Sequence, residues 1–234
     1  MHVELVRIMT FSAAHRVPTS LHEPARRLHG HNFAVEFSLS GTIKSDCGWL
    51  LDFGEIREGF APLAERLDHS FLNEVEGLEV PNIPSLERWI FNRMKSDLPT
   101  LERAFVTIMG HLSFTPRRLA EDRRLGLSER LSFTLESAHR LPLVGSGHKC
   151  NRLHGHSFRV EVGARDLERL KEPLRRIYDQ LDHRFLNEID GLENPTSENL
   201  AIWIWRAVRT DVPDLGVVVI RESPETACFY RGVE

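Results

Sequence analysis

The chain has 234 residues, of which 41% are hydrophobic and 27% charged, so it can bury a core as one large domain or two of about 115. Its 30 Lys and Arg against 34 Asp and Glu give a formal net charge of -4, and without a dominant basic stripe nucleic acid is not expected as a partner. No apolar run approaches the roughly 18 residues that span a bilayer, and Met1-His2-Val3-Glu4-Leu5 lacks the basic-then-apolar layout of a signal peptide. Cys47, Cys150 and Cys228 are odd in number and show no Cys-x-x-Cys spacing, so a reducing, cytoplasmic setting is expected.

In chain order, residues 3–11 alternate as a strand that runs into Phe11-Ser12-Ala13-Ala14-His15. Arg27-Leu28-His29-Gly30-His31 leads into a second strand over 32–39, with Phe33, Val35, Phe37 and Leu39 on one face. Residues 55–67 carry a helical stripe of Ile56, Phe60, Leu63 and Leu67, followed by Asp68-His69. A second helix opens near Ser85, a cap-forming residue, and residues 105–109 form the next strand. Residues 115–124 are charged and aperiodic, and read as a linker.

The same order then returns. Leu135-Glu136-Ser137-Ala138-His139 answers Phe11 to His15, and Arg152-Leu153-His154-Gly155-His156 answers Arg27 to His31. Phe158, Val160 and Val162 repeat the strand, and Leu174, Ile177 and Leu181 repeat the helical stripe over 170–181. Asp182-His183 answers Asp68-His69, a helix opens at Thr196-Ser197, and strands follow over 217–220 and 227–230. One unit is therefore written twice, over 1–114 and 129–234, with 115–128 between. Each unit reads strand, strand, helix, helix, strand, strand. That order predicts an α+β unit: a four-stranded antiparallel sheet with two helices on one face.

The histidines carry the chemistry. On a strand, residues i and i+2 share a face, so His-Gly-His sets two imidazoles side by side. Gly between them permits close backbone approach from behind. With an upstream histidine each unit has three: His15, His29 and His31, then His139, His154 and His156. Three imidazoles suit Zn2+ and leave a fourth position open, the pattern of a catalytic metal. Cys150 lies four residues before His154, where a nearby cation favours the reactive thiolate. Asp182-His183 can hold and relay a proton, although adjacent residues are not expected to hydrogen-bond to each other as members of a triad do. Glu222 and Glu225, after the late strand, are both candidates to accept a pair of N–H donors.

Cys150-x-x-x-His154-Gly155-His156, Leu181-Asp182-His183, Gly191-Leu192-Glu193-Asn194-Pro195-Thr196-Ser197-Glu198 and Val219-Ile220-Arg221-Glu222 resemble the 6-pyruvoyl-tetrahydropterin synthase family. Within it, His148-Lys149-Cys150 and Asn194-Pro195-Thr196-Ser197-Glu198 look closest to the bacterial 6-carboxy-5,6,7,8-tetrahydropterin synthases of the queuosine pathway. The resemblance implies tunnelling-fold (T-fold) units assembled by their sheet edges into rings. It implies zinc on His139, His154 and His156, proton handling by Cys150, Asp182 and His183, and a pterin held by Glu222 with Thr196, Ser197 and Glu198. The substrate it implies is 7,8-dihydroneopterin triphosphate, losing triphosphate and acetaldehyde. A 6-pyruvoyl product and a pterin- or metal-binding protein without turnover are the alternatives.

The first unit departs from this pattern. Ala25 stands where Cys150 would, Gly110 where Glu222 would, and Asn82-Ile83-Pro84 where Thr196-Ser197-Glu198 would. It is expected to hold metal without turning over this pterin. The second unit lacks an equivalent of Gly48-Trp49-Leu50-Leu51-Asp52-Phe53. A fused pair also suggests a homo-oligomer of three two-unit chains. The resemblance implies that site residues come from neighbouring units, so Cys150 meets either Asp182 and His183 or Asp68 and His69.

Overall fold

The computed structural model describes residues 2–43, 49–110, 114, 116–119, 129–223 and 226–232. Gly48, Glu225 and most of the expected linker lie outside them. Two units of the expected order are present. In the first, β1 (His2–His15) pairs antiparallel with β2 (His29–Thr42), helix α1 (Phe53–Leu67) follows, then the two-residue β3 (Ser70–Phe71), α2 (Ile83–Met94) and β4 (Leu101–Ile108). After a short β5 (Arg117–Leu119), the second unit runs β6 (Arg130–His139), β7 (His154–Ala164), α3 (Lys171–Leu181), α4 (Ser197–Arg209), β8 (Leu215–Arg221) and β9 (Cys228–Tyr230).

The sheets run β3-β1-β2-β4 and β5-β6-β7-β8-β9. Two details differ from the sequence expectation. The fourth strand of the first sheet is β3, which pairs parallel to β1 rather than following β4. Residues assigned to the linker form β5 (Arg117–Leu119), which adds to β6 of the second sheet. Both short strands satisfy backbone edges that would otherwise lack partners. The cap of α2 is Asn82 rather than Ser85, because the Asn82 side chain accepts from the Ser85 N–H at 2.9 Å. The expected Thr196 cap on α4 is present.

Each core lies between its sheet and its two helices. Phe33, Val35, Phe37 and Leu39 of β2 pack with Ile56, Phe60, Leu63 and Leu67 of α1, and all are buried. Phe158, Val160 and Val162 do the same with Leu174, Ile177 and Leu181. At roughly 25 cal/mol per Å2 of apolar surface removed from water, these two stripes hold the layers together.

The units meet end to end at their histidine-bearing strand ends. A Cβ placed on Gly30 would overlap the Gly155 Cα, and a Cβ on Gly155 would overlap Gly30 in return. The two His-Gly-His motifs thus pack backbone against backbone, the close approach that glycine permits. Among the described residues, no helix is long and apolar enough to cross a membrane.

Candidate metal centres and proton relay

The register explains how each triad forms. β1 pairs His15 with His29, and β6 pairs His139 with His154, so an alternating partner two residues on completes each set. In the second triad the His139 and His154 rings lie 4.4 Å apart, and His139 and His156 5.2 Å apart. In the first, His15 lies 4.4 Å from His29 and 5.0 Å from His31.

Every one of these six rings has its Nδ1 against an acceptor. His15 faces Pro81 O at 2.9 Å and His29 faces Arg27 O at 2.8 Å. His139 faces Pro195 O at 2.9 Å and His154 faces Arg152 O at 2.7 Å. His31 faces Glu136 Oε2 at 2.5 Å, and His156 faces the Asn32 side-chain oxygen at 3.0 Å. An acceptor at Nδ1 puts the proton there and leaves the Nε2 lone pair free. The Nε2 atoms of His15, His139 and His154 are buried without a hydrogen-bond partner, as ligand atoms awaiting an ion would be.

Burial, with neighbouring imidazoles adding to it, lowers the His139 pKa to about 4 and those of His15 and His31 to about 3. Burial holds His29, His154 and His156 low as well. All six are neutral at pH 7, the state that binds metal. Two groups of ligand atoms converge within 4.8 Å: His15, His29 and His31, and His139, His154 and His156 joined by Glu222. The donor sets suit zinc.

The two Asp-His pairs cross between the units. Asp68 accepts from the Ser12 N–H at 3.0 Å, and the His69 N–H donates to Ser12 O at 2.6 Å, which ties the pair to β1 of its own unit. The His69 ring nevertheless stacks on His154 of the other unit, with centroids 4.2 Å apart. Asp182 and His183 mirror this. They bond to the Glu136 backbone at 2.9 Å in each direction, and the His183 ring lies 4.4 Å from His29. Asp182 and His183 therefore face the first triad, whereas Cys150 forms a group with His69 and His154 whose ligand atoms lie within 4.8 Å of one another.

The expectation that neighbouring Asp and His would not bond to each other is corrected here. His183 Nδ1 donates to Asp182 Oδ2 at 2.7 Å, and His69 Nδ1 lies 3.0 Å from Asp68 Oδ2. The cause is backbone shape: His69 and His183 sit at φ of 54° and 53°, which folds each ring back over the preceding carboxylate. Such left-handed histidines cost roughly 1–3 kcal/mol, a strain typical of functional positions.

Around the second triad, Lys149 Nζ donates to Asp68 Oδ2 at 3.3 Å. Burial raises the Asp68 pKa, but bonds from His69 and Ser12, with the Lys149 charge, outweigh it and keep Asp68 ionised. Without a metal, burial and then the Glu222 carboxylate push the Cys150 thiol up, against Lys149 and Arg152. Glu222 Oε1 lies 3.2 Å from His156 Nε2 and 3.4 Å from His139 Nε2, and Ser197 Oγ donates to its other oxygen at 3.4 Å. Burial raises the Glu222 pKa, and nearby Glu198 adds to it. Thr196 caps α4, Ser197 at its start reaches Glu222, and Glu222 joins the second triad.

Asn32 and Glu136 act across the junction, and nothing local in the sequence marks them. The one signal is a glutamate in β6 where the repeat has Ser12 in β1.

Comparison with known proteins agrees with this architecture. The sequence profile of the 6-pyruvoyl tetrahydropterin synthase family matches residues 4–113 and again 129–233. A 6-carboxy-5,6,7,8-tetrahydropterin synthase from Synechocystis is 37% identical over 118 residues, spanning 42% of this chain and 88% of the relative. A dihydroneopterin monophosphate aldolase from Pyrococcus furiosus is 30% identical over 99 residues, 42% of this chain and 81% of the relative. A 6-pyruvoyl tetrahydrobiopterin synthase from Drosophila melanogaster is 33% identical over 118 residues, 42% and 68% respectively. With two matched segments, α+β units and paired histidine triads, the chain belongs to the 6-pyruvoyl tetrahydropterin synthase family.

Proposed function

We propose that this chain is a zinc-dependent 6-carboxy-5,6,7,8-tetrahydropterin synthase, a lyase that takes 7,8-dihydroneopterin triphosphate and releases triphosphate and acetaldehyde, as in the route to queuosine precursors. The observation that carries the reading is Cys150 grouped with His69 and His154 beside a triad in which the His139 and His154 Nε2 atoms have no hydrogen-bond partner. The similarity to the Synechocystis relative supports the carboxy product.

His139, His154 and His156 would hold the zinc, which when bound polarises the side-chain oxygens of the substrate and favours the Cys150 thiolate. Cys150 takes and returns protons at the pterin side chain. His69 relays them, oriented by ionised Asp68. This assigns the relay to Asp68 and His69, rather than to the Asp182 and His183 expected from their place in the same repeat. Glu222, helped by Ser197 and the start of α4, accepts the N–H pair at the guanidine-like edge of the pterin. Thr196 and Glu198 shape that pocket from the start of α4, and Arg140, Lys149 and Arg152 are available to meet phosphate.

The first unit, 1–114, holds metal at His15, His29 and His31 without turnover. Among the described residues its triad is joined by no thiol and no carboxylate, and by strand register Ile108, not the expected Gly110, stands where Glu222 does. Three chains assemble through their sheet edges, since β4 presents its outer edge without a partner strand among the described residues. Purified protein incubated with 7,8-dihydroneopterin triphosphate should release acetaldehyde and triphosphate in equal amounts. Triphosphate alone would assign the 6-pyruvoyl product, which the Drosophila relative supports as a second reading. Release of neither would leave a binding protein.

A further inference from the structure

The two triads differ in what stands behind their third histidine. His156 Nδ1 faces a neutral amide oxygen, that of Asn32, which also accepts from Ser12 Oγ at 2.8 Å. His31 Nδ1 faces a carboxylate, Glu136 Oε2, at 2.5 Å. Glu136 is wholly buried, and Ser157 Oγ donates to the same oxygen at 2.6 Å. Ser157 in turn accepts from the Asn32 N–H at 3.2 Å, so one polar chain crosses the junction and backs both triads.

Glu136 also occupies space. A Cβ on Gly110 would overlap Glu136 Oε1 and lie 2.8 Å from Ser157 Oγ. By strand register Glu222 answers Ile108 rather than Gly110, and no side chain fits at Gly110 while Glu136 stays in place.

We propose that Glu136 is a positioning residue that makes the first triad a retained metal centre, binding its ion more tightly than the second. The inference rests on the reading that both triads take zinc. A carboxylate behind a ligating imidazole fixes its orientation and raises its basicity, and removing such a partner costs about 10–100-fold in metal affinity. A neutral amide fixes orientation but adds no charge. The second triad, backed by Asn32, therefore exchanges its ion more readily, while the first keeps its own throughout turnover at the other.

The test is zinc affinity read against a competing chelator in the full chain, with no activity assay. Wild type should bind two zinc ions per chain in two steps separated by about 10–100-fold. His15→Ala should remove the tight step alone. Glu136→Gln keeps the shape of the side chain and should weaken the tight step by about 10–100-fold, leaving the other where it was. Glu136→Asp keeps the charge and should restore part of the loss. Two zinc ions of equal affinity, a Glu136→Gln variant with an unmoved tight step, or loss of the weak step instead would each overturn the proposal. A wild-type chain that binds no zinc would overturn the metal reading itself, a result distinct from two equal sites.

Discussion

Replacing His69 with Asn should stop the second pocket, whereas His183→Asn should spare it. Asn is the substitution to use because it tolerates the left-handed backbone at φ 54° and 53°. Alanine tolerates that backbone less well and would confuse folding with chemistry. His69 stacks on His154 at 4.2 Å and groups with Cys150, while His183 stacks on His29 at 4.4 Å. General acid–base participation is worth about 10²–10⁴ in rate, or roughly 2.7–5.4 kcal/mol at 1.36 kcal/mol per decade. His69→Asn should therefore lower kcat by about 10²–10⁴, with unchanged zinc content. His183→Asn should leave kcat within about twofold, the ~0.5 kcal/mol of a site without shared partners. The assay is acetaldehyde released from 7,8-dihydroneopterin triphosphate, after both variants are shown to unfold at the wild-type urea midpoint. A large loss in His183→Asn with full activity in His69→Asn would refute the crossed arrangement.

Gly155→Ala places a methyl into Gly30 and within 2.8 Å of Ser137 O, so it should destabilise the chain by about 1–3 kcal/mol or more, measured by urea unfolding. Glu222→Gln removes a charge-assisted acceptor and should weaken pterin binding by about 10–100-fold, the equivalent of ~1.5–3 kcal/mol, with zinc retained. Loss of zinc in that variant would instead make Glu222 a ligand. Metal-stripped protein should lose stability as pH falls. In the folded chain His139 titrates at about 4 and His15 and His31 at about 3, against about 6.5 unfolded. The unfolded chain thus binds protons that the folded one excludes. Stability is full above pH 6.5 and drops by up to about 1.4 kcal/mol per histidine per pH unit below it. Urea midpoints flat from pH 7 to 5 would contradict those buried neutral imidazoles.

Periodicity made much of this legible. The stripes Phe33-Val35-Phe37-Leu39 and Ile56-Phe60-Leu63-Leu67 define layers because burial acts on every second or every third to fourth residue. The triads were readable for the same reason, since His-x-His on a strand fixes a shared face. The glycine between the histidines signalled close backbone approach, and Gly30 meets Gly155 there. What stayed open is contact between units, since the sequence left Cys150 to meet either Asp182 and His183 or Asp68 and His69. Asp182-His183 follows Cys150 in the same repeat, yet the left-handed turn at His183 aims the pair at the other triad. Glu136 looks like one polar residue in an apolar strand, and its partner His31 belongs to the other unit. Strand β5 was missed because three residues inside a charged run show no alternation.

The crossing of the Asp-His pairs has a consequence for how a fused duplicate can diverge. Asp68 and His69 belong to the half without the thiol, yet they stand over the histidines of the half that has it. Truncating the chain to residues 129–234 would remove both residues from beside Cys150 and His154. In one fused chain, each triad is met by a ring that its own half does not carry.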